Sequence, residues 1–254
     1  MSSDAPTFWS HFQELRSRLV KSLAGVAVGA VLAYVKRDVV WDWIAAPITR
    51  QKLPVSLVNL AAMEGVMTTF KLSIVFGVFL AFPWITWQVW RFLAPGLYRN
   101  ERRLFLGTFL GFVAMFIAGA AFCYYTVLPA GLAFLAYFAN GSIHQNWQQS
   151  SYASFVIQFL LAFGVIFELP VAVFLLARLD LISARGMWSF FRYAVVIIFV
   201  VAAVLTPGPD PVSQLLMALP LCALYILSIG VCALASRKGD DSVTDRPAGG
   251  NFRV

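Results

Sequence analysis

Four acidic side chains stand out in this sequence because each falls where a negative charge is costly or informative. They are Glu14, Glu101, Glu168 and Asp210. A carboxylate accepts paired hydrogen bonds from a guanidinium, so an acid beside clusters of cations is a candidate site for a cationic ligand. An acid inside an apolar segment costs about 2.5–3.5 kcal/mol on insertion scales, so it marks a candidate functional position by itself. Glu14 and Glu101 fit the first description, and Glu168 fits the second.

The two acids near cations each have a structural and a functional interpretation. Glu14 lies in the helix-compatible run at residues 11–19. Its carboxylate either pairs with Arg18 one turn later, a contact worth about 0.3–0.5 kcal/mol, or is presented at the membrane surface to a cationic ligand. Asn100 and Glu101 fit the N-cap and first turn of a helix. That capping role does not explain why two acids flank the same membrane face among so many cations.

Glu168 lies near the middle of an apolar segment, about ten residues or roughly 15 Å before Arg178. Pro170 cannot donate a hydrogen bond to the carbonyl of Ile166, so the helix is expected to bend beside the acid. Three interpretations of Glu168 stay open: it is protonated, it faces a wet groove, or it contacts a polar group on a partner helix.

The last connection is a proline-rich turn, TPGPDP at residues 206–211. Its prolines, Pro207 among them, and its glycine break the helix, which predicts an antiparallel hairpin of the fifth and sixth segments. Asp210 or Ser213 caps the sixth helix, or Asp210 contacts a partner. Gln214 lies one turn inside the same segment.

These residues belong to a chain that is too apolar for a water-soluble domain. Of its 254 residues, 60% are hydrophobic and 12% are charged, against about 45–50% apolar residues in typical soluble domains. A membrane-spanning helix needs about 20 mostly apolar residues, and six segments approach that length: 19–35, 67–93, 104–128, 152–177, 190–205 and 212–235. The predicted fold is all-α, with a six-helix transmembrane domain at 19–235 between a cytoplasmic segment at 1–18 and a disordered tail at 236–254.

Lys and Arg residues predict the orientation of this domain. Fourteen of the 19 fall on the side that carries both chain ends, and cytoplasmic loops are enriched in such residues, so both termini are predicted to be cytoplasmic. On the other side, residues 55–63 are apolar enough to predict a helix lying on the bilayer surface. Trp84, Trp87 and Trp90 are interpreted as an aromatic belt at the membrane interface.

Several classes of function are not expected. The basic residues form no interleaved basic and aromatic surface of the kind that binds nucleic acid. The cysteines have no metal-binding spacing, and the sequence has no Gly-rich phosphate motif. Its two histidines, His11 and His144, fall on opposite sides of the predicted topology. We therefore expect no metal, no cofactor and no intramembrane enzyme.

Over nearly the whole of residues 8–235, the chain resembles the TatC family, the multispanning core of the twin-arginine protein translocase. The resemblance rests on separate strings in one order: HFQELRSRL at 11–19, Ala46-Pro47, WRFLAPGLYRNERR at 90–103, FGVIFELP at 163–170 and the turn at 206–214. The turn carries an extra Gly-Pro spacing relative to the family pattern, which leaves the placement of Asp210 open. Four prolines in these strings are expected at turns or kinks: Pro47, Pro95, Pro170 and Pro207.

The resemblance implies a receptor in the bacterial cytoplasmic (inner) membrane for folded proteins that carry a twin-arginine signal peptide. Acids matching Glu14 and Glu101 would recognise the two arginines, helped by residues matching Arg16, Phe92 and Arg103. Carboxylates suit this task because arginine offers a planar fork, whereas lysine offers a point charge. The resemblance also implies transport driven by the proton-motive force.

A concave, cup-like helical scaffold with short fifth and sixth helices is also implied, in an oligomeric assembly surrounded by membrane lipids. The acid matching Glu168 would face the concavity, and single-span subunits of the TatA and TatB type would pack against the fifth and sixth helices, where Asp210 and Gln214 are candidate contacts. The alternative is a proton- or ion-coupled small-solute transporter that uses Glu168. Such transporters usually have paired broken helices in related halves, which are missing here.

Overall fold

A computed structural model of the protein describes residues 8–93, 102–138, 145–205 and 211–240, and these ranges are almost entirely helical. Their elements are α1 (Phe8–Val35), α2 (Arg37–Gln51), β1 (Val55–Val58), α3 (Glu64–Leu93), α4 (Arg102–Phe122), a π-helical turn (Cys123–Val127), α5 (Leu128–Phe138), β2 (Gln145–Gln148), α6 (Gln149–Ile166), α7 (Leu169–Arg178), α8 (Ala184–Leu205) and α9 (Pro211–Asp240).

Within these ranges, six helical stretches are long and apolar enough to cross a membrane, which confirms the six predicted segments. They are α1, α3, α4 with its π-helical and α5 extension, α6 with α7, α8, and α9. The fifth, α8, is the shortest with 22 residues. It begins at Ala184, earlier than the hydropathy of its first turns indicated. The sixth was expected to be short, but α9 is a helix of 30 residues whose apolar part covers 25.

The spans form an open, cup-shaped array and not a closed bundle. At one edge α1 packs mainly against α3, at the other α8 packs mainly against α9, and α6 lies between them with large buried side chains such as Phe159 and Phe163. We call the membrane face at which α1 begins the N-terminal face. By alternation of the spans, α3, α7 and α9 end there and α4 and α8 begin there. We call the other side the opposite face.

Glycines allow α1 and α3 to pack very closely. A Cβ atom on Gly29 would lie 2.7 Å from the carbonyl oxygen of Gly77, so neither position has room for a side chain. Toward the N-terminal face, the Trp84 indole of α3 donates a hydrogen bond of 3.0 Å to the carbonyl oxygen of Lys21. Both contacts fit one antiparallel register, in which residues later in α1 face residues earlier in α3. The sum of the two residue numbers is therefore nearly constant: 106 for Gly29 with Gly77 and 105 for Lys21 with Trp84.

A small cap on the opposite face differs from the sequence prediction. The surface helix predicted at 55–63 is wrong: Val55–Val58 forms β1, which pairs in parallel with β2. The register places Val55 opposite Gln145 and Val58 opposite Gln148. The partner strand lies 90 residues away along the chain, so the apolar content of residues 55–63 alone could not reveal it.

Two tyrosines hold α2 against the spans below this cap. Tyr124 donates a hydrogen bond of 2.8 Å to the carbonyl oxygen of Trp43, and Tyr152 donates one of 2.7 Å to that of Ile44. Pro47 was expected at a turn or kink. It is buried inside α2, which continues to Gln51.

The three tryptophans near the end of α3 contact neighbouring helices, and their interpretation as an interfacial belt stays a prediction. Trp84 reaches α1, as described above. Trp87 meets Phe109 of α4 edge-on, with ring centroids 5.4 Å apart, and the buried Trp90 packs near Phe112. The tryptophans therefore fill the space between α3 and its neighbouring helices and fix the start of α4 beside the end of α3.

Candidate functional site

The first candidate site lies at the beginning of α1, on the N-terminal face. The helix has 28 residues, or roughly 42 Å, and so exceeds a hydrocarbon core of about 30 Å. Its polar first turns therefore extend out of the core. They carry Glu14 and Arg18, which form an ion pair: Arg18 Nε donates a hydrogen bond of 3.0 Å to Glu14 Oε1, and Nη2 donates to the same oxygen. The structural interpretation of Glu14 is thus present in the fold.

The close packing of α1 and α3 determines what lies beside Glu14. Glu14 is seven residues before Lys21, and Arg91 is seven residues after Trp84. Because the Trp84 indole contacts Lys21 and the helices are antiparallel, Glu14 lies at the height of Arg91 and Phe92. Phe92 is half-buried, whereas Arg16, two residues after Glu14 in α1, is exposed. The structure therefore brings Glu14, Arg16 and Phe92 to one face of the membrane.

Other predicted site residues lie outside the described ranges: Glu101, Asp210, Pro95 and Pro207. Arg103 is the second residue of α4. Since α3 ends and α4 begins on the N-terminal face, the segment that contains Glu101 joins two helix ends on the same side as Glu14.

The second candidate site lies where the fourth span is interrupted. α6 ends at Ile166 and α7 begins at Leu169, so the helix is interrupted just before Pro170, where a bend was predicted. Glu168 precedes α7, and its carbonyl oxygen accepts a hydrogen bond of 2.9 Å from the amide of Ala172. Pro170 lies in the first turn of α7, where its missing N–H would have no helical partner in any case.

The carboxyl group of Glu168 is the most unusual polar group among the described residues. Both of its oxygens are buried, and neither has a hydrogen-bond partner in the described part of the chain. A buried polar group without a partner costs free energy that a folded protein normally avoids. The interruption between α6 and α7 thus places a buried acid within an apolar span, and the described residues give its two oxygens no partner.

The structure does not bring Gln214 to Glu168. The Gln214 side chain donates a hydrogen bond of 3.0 Å to the carbonyl oxygen of Phe199, which joins α9 to α8. Val173 of α7 lies in one buried cluster with Cys232 of α9. Both helices run toward the N-terminal face, so Glu168, five residues before Val173, lies at the height of the α9 residues about five positions before Cys232. That height is roughly 15–20 Å from Gln214 along α9. The two residues therefore belong to separate places.

Sequence reasoning missed one acid, Glu64, at the start of α3. Its carboxylate accepts hydrogen bonds from the amides of Leu60 at 2.7 Å, Ala61 at 3.3 Å and Ser150 at 3.0 Å. The Ser150 bond links α3 to the first turn of α6. Lys71 adds a second link, with a hydrogen bond of 2.8 Å to Ser154. An acid in the first turn of a helix was the available signal, but its long-range partner could not be read from the sequence.

Comparison with known proteins identifies the family. A sequence model of TatC, the Sec-independent protein translocase protein, matches residues 10–220. The TatC protein of Carboxydothermus hydrogenoformans is 36% identical over 238 residues, which are 94% of this chain and 97% of that protein. The TatC protein of Helicobacter pylori strain J99 is 39% identical over 235 residues, 92% of each chain.

The fold gives the same result. A crystal structure of the twin-arginine translocase receptor TatC superposes with a TM-score of 0.82 at 36% sequence identity, and the match covers 89% of this chain and 100% of that one. A second crystal structure of TatC, in the detergent DDM, gives a TM-score of 0.80 at 35% identity, with 87% and 98% of the two chains covered. With six apolar spans in the same arrangement, this chain belongs to the TatC family of Sec-independent protein translocase proteins and is a multi-pass membrane subunit of that translocase.

Proposed function

We propose that this protein is the receptor of its translocase, and that it binds the twin-arginine signal peptides of folded proteins at the N-terminal face. Glu14 and Glu101 accept the two guanidinium groups, and Arg16, Phe92 and Arg103 complete the site. In this proposal the N-terminal face is the cytoplasmic face of the inner membrane, and the proton-motive force drives transport.

The contact between Glu14 and Arg18 carries this proposal. It shows that the Glu14 carboxylate can accept two N–H groups of one guanidinium in this position. The Glu14 side chain is 35% exposed, so it is accessible from the aqueous side. Phe92 lies at the same height and offers an apolar surface to the residues that follow the arginines in a peptide. The crystal structure of a similar protein, described as a twin-arginine translocase receptor, supports the same function.

We further propose that single-span subunits of the TatA and TatB type pack against α8 and α9. Along α8, the side chains of Val196, Val200 and Val204 are all more than half exposed, and α8 packs mainly against α9. This leaves one apolar face of α8 for another helix. The buried carboxyl group of Glu168 is a candidate contact for a polar group of such a partner. The small-solute transporter alternative is not favoured, because the family is a protein translocase.

Cross-linking of a labelled twin-arginine peptide and of its Lys-Lys variant to the full chain in membrane vesicles tests the receptor function. We expect Glu14→Gln and Glu101→Gln each to weaken binding of the twin-arginine peptide by about three- to tenfold, because a charge-assisted hydrogen bond at a partly exposed site is lost. Asp38→Asn is the matched control. It removes one carboxylate from α2 on the opposite face, where the Asp38 side chain is 91% exposed.

The two peptides should also differ from each other, with the Lys-Lys variant labelled more weakly by the wild-type protein. If both peptides label equally and neither Glu14→Gln nor Glu101→Gln changes the yield, the receptor site proposed here is wrong.

A further inference from the structure

The Glu14 carboxylate is occupied by a cation of its own helix. Arg18 lies one turn after Glu14, and two of its nitrogens donate to Glu14 Oε1. The Arg18 side chain is only 15% exposed, so it lies against the protein and does not extend into solvent. An acid followed four residues later by a base is also the favourable order for an ion pair on a helix.

This internal partner has the same chemistry as the proposed ligand. A signal-peptide arginine would present the same planar fork, and its paired N–H groups would bind the same carboxylate. Arg18 already uses Oε1 with its own fork. Two guanidinium groups on one carboxylate would also place like charges in contact. The peptide arginine and Arg18 are therefore competitors for Glu14.

We propose that Arg18 is an internal competitor that holds the Glu14 carboxylate in the absence of a signal peptide and must be displaced when a peptide arginine binds. This inference rests on the proposed receptor function. It assigns a role to a residue outside the peptide-binding set, and the role is to lower the affinity of the receptor. Binding is then an exchange of one guanidinium for another, which keeps Glu14 paired at each stage.

The exchange has a quantitative consequence. Any ligand that needs Glu14 must break the same ion pair, whichever cation it carries. Removal of Arg18 therefore strengthens the binding of an Arg-Arg peptide and of a Lys-Lys peptide by the same factor, and the ratio between their affinities does not change. An ion pair of this type and exposure implies a gain of about two- to fivefold.

The test measures the affinity of the labelled Arg-Arg and Lys-Lys peptides for the full chain in membrane vesicles at about 0.15 M salt, where the screening length is about 8 Å. We expect Arg18→Gln to bind both peptides about two- to fivefold more tightly. Lys21→Gln is the matched control, since it removes one cation from the same helix, two turns or about 10 Å beyond Glu14. We expect the affinity of Lys21→Gln to equal that of the wild type.

A double-mutant cycle separates competition for Glu14 from other effects of Arg18. In a Glu14→Gln background there is no carboxylate to hold, so Arg18→Gln should produce no further change in affinity. Arg18→Lys, which keeps the positive charge but loses the fork, should give a smaller gain than Arg18→Gln. It also provides the test if Arg18→Gln does not accumulate in the membrane.

The outcomes distinguish this inference from the function on which it rests. If Glu14→Gln weakens binding but Arg18→Gln leaves it unchanged or weaker, Arg18 is not a competitor and the receptor function stands. If Lys21→Gln tightens binding as much as Arg18→Gln, general charge is responsible and the inference is wrong. If Glu14→Gln has no effect on either peptide, the proposed site itself is wrong.

Discussion

Substitution of Gly77 by alanine tests how closely α1 and α3 must pack. A Cβ atom on Gly77 would lie 2.5 Å from the backbone nitrogen of Ala30 and 2.8 Å from the carbonyl oxygen of Val26. Ordinary contacts between heavy atoms lie near 3.5 Å, and these neighbours are backbone atoms that no rotamer change can move. We therefore expect α1 to move away from α3 by about 1 Å and the protein to lose about 1–3 kcal/mol of stability.

Gly107 provides the matched control because it is also a glycine inside a spanning helix. A Cβ atom on Gly107 would have no neighbour within 4 Å. Gly107→Ala should therefore leave stability unchanged or raise it by up to about 1 kcal/mol, the gain in helix propensity. The assay is the free energy of unfolding in mixed micelles, titrated with a denaturing detergent. Equal stabilities for Gly77→Ala and Gly107→Ala would refute the packing argument.

Two further substitutions test the cap and the intramembrane acid. Tyr152→Phe removes the buried hydrogen bond to the carbonyl oxygen of Ile44 and should cost about 1–3 kcal/mol in the same titration. The control Tyr125→Phe, at a residue that is 66% exposed, should change the free energy of unfolding by no more than about 0.5 kcal/mol. Equal losses for the two variants would show that the Tyr152 hydroxyl does not hold α2. Glu168→Gln should reduce export of a twin-arginine reporter by at least tenfold while peptide binding at the N-terminal face stays normal. The control Asp180→Asn, at an exposed position on that face, should export normally, and normal export by Glu168→Gln would show that its charge state has no role.

The sequence predicted the spanning part of the fold well because its signals are local. A run of about 20 apolar residues is visible without any knowledge of its neighbours. The break beside Pro170 follows in the same way from one missing amide. The close approach of Gly29 to Gly77 is a different case, because it joins two helices. Glycines at the same spacing on α4 make no such contact: a Cβ atom on Gly107 would have no neighbour within 4 Å, and one on Gly111 would meet the side chain of Val171.

Features that depend on distant residues could not be predicted. Three such features join segments that are far apart in the sequence. They are the pairing of β1 with β2, the hydrogen bond that the Ser150 amide donates to Glu64, and the packing of Trp87 and Trp90 on α4. The pattern of a single sequence indicates whether a residue is in an apolar or a polar environment, but it does not indicate which distant residue it contacts. In the candidate site, the ion pair of Glu14 with Arg18 was one of two predicted interpretations, because the two residues are four apart in one helix. The position of Phe92 at the height of Glu14 could not be predicted, because it depends on the register of α1 and α3.

The two-stranded sheet has a mechanical consequence for transport. It fastens the connection after the first span to the connection before the fourth, and the Glu64 bond to Ser150 adds a second tie between the second and fourth spans. Separation of these spans on the opposite face would have to break both ties. A transport passage that leaves both ties intact therefore has to form outside the space between the second and fourth spans on this face.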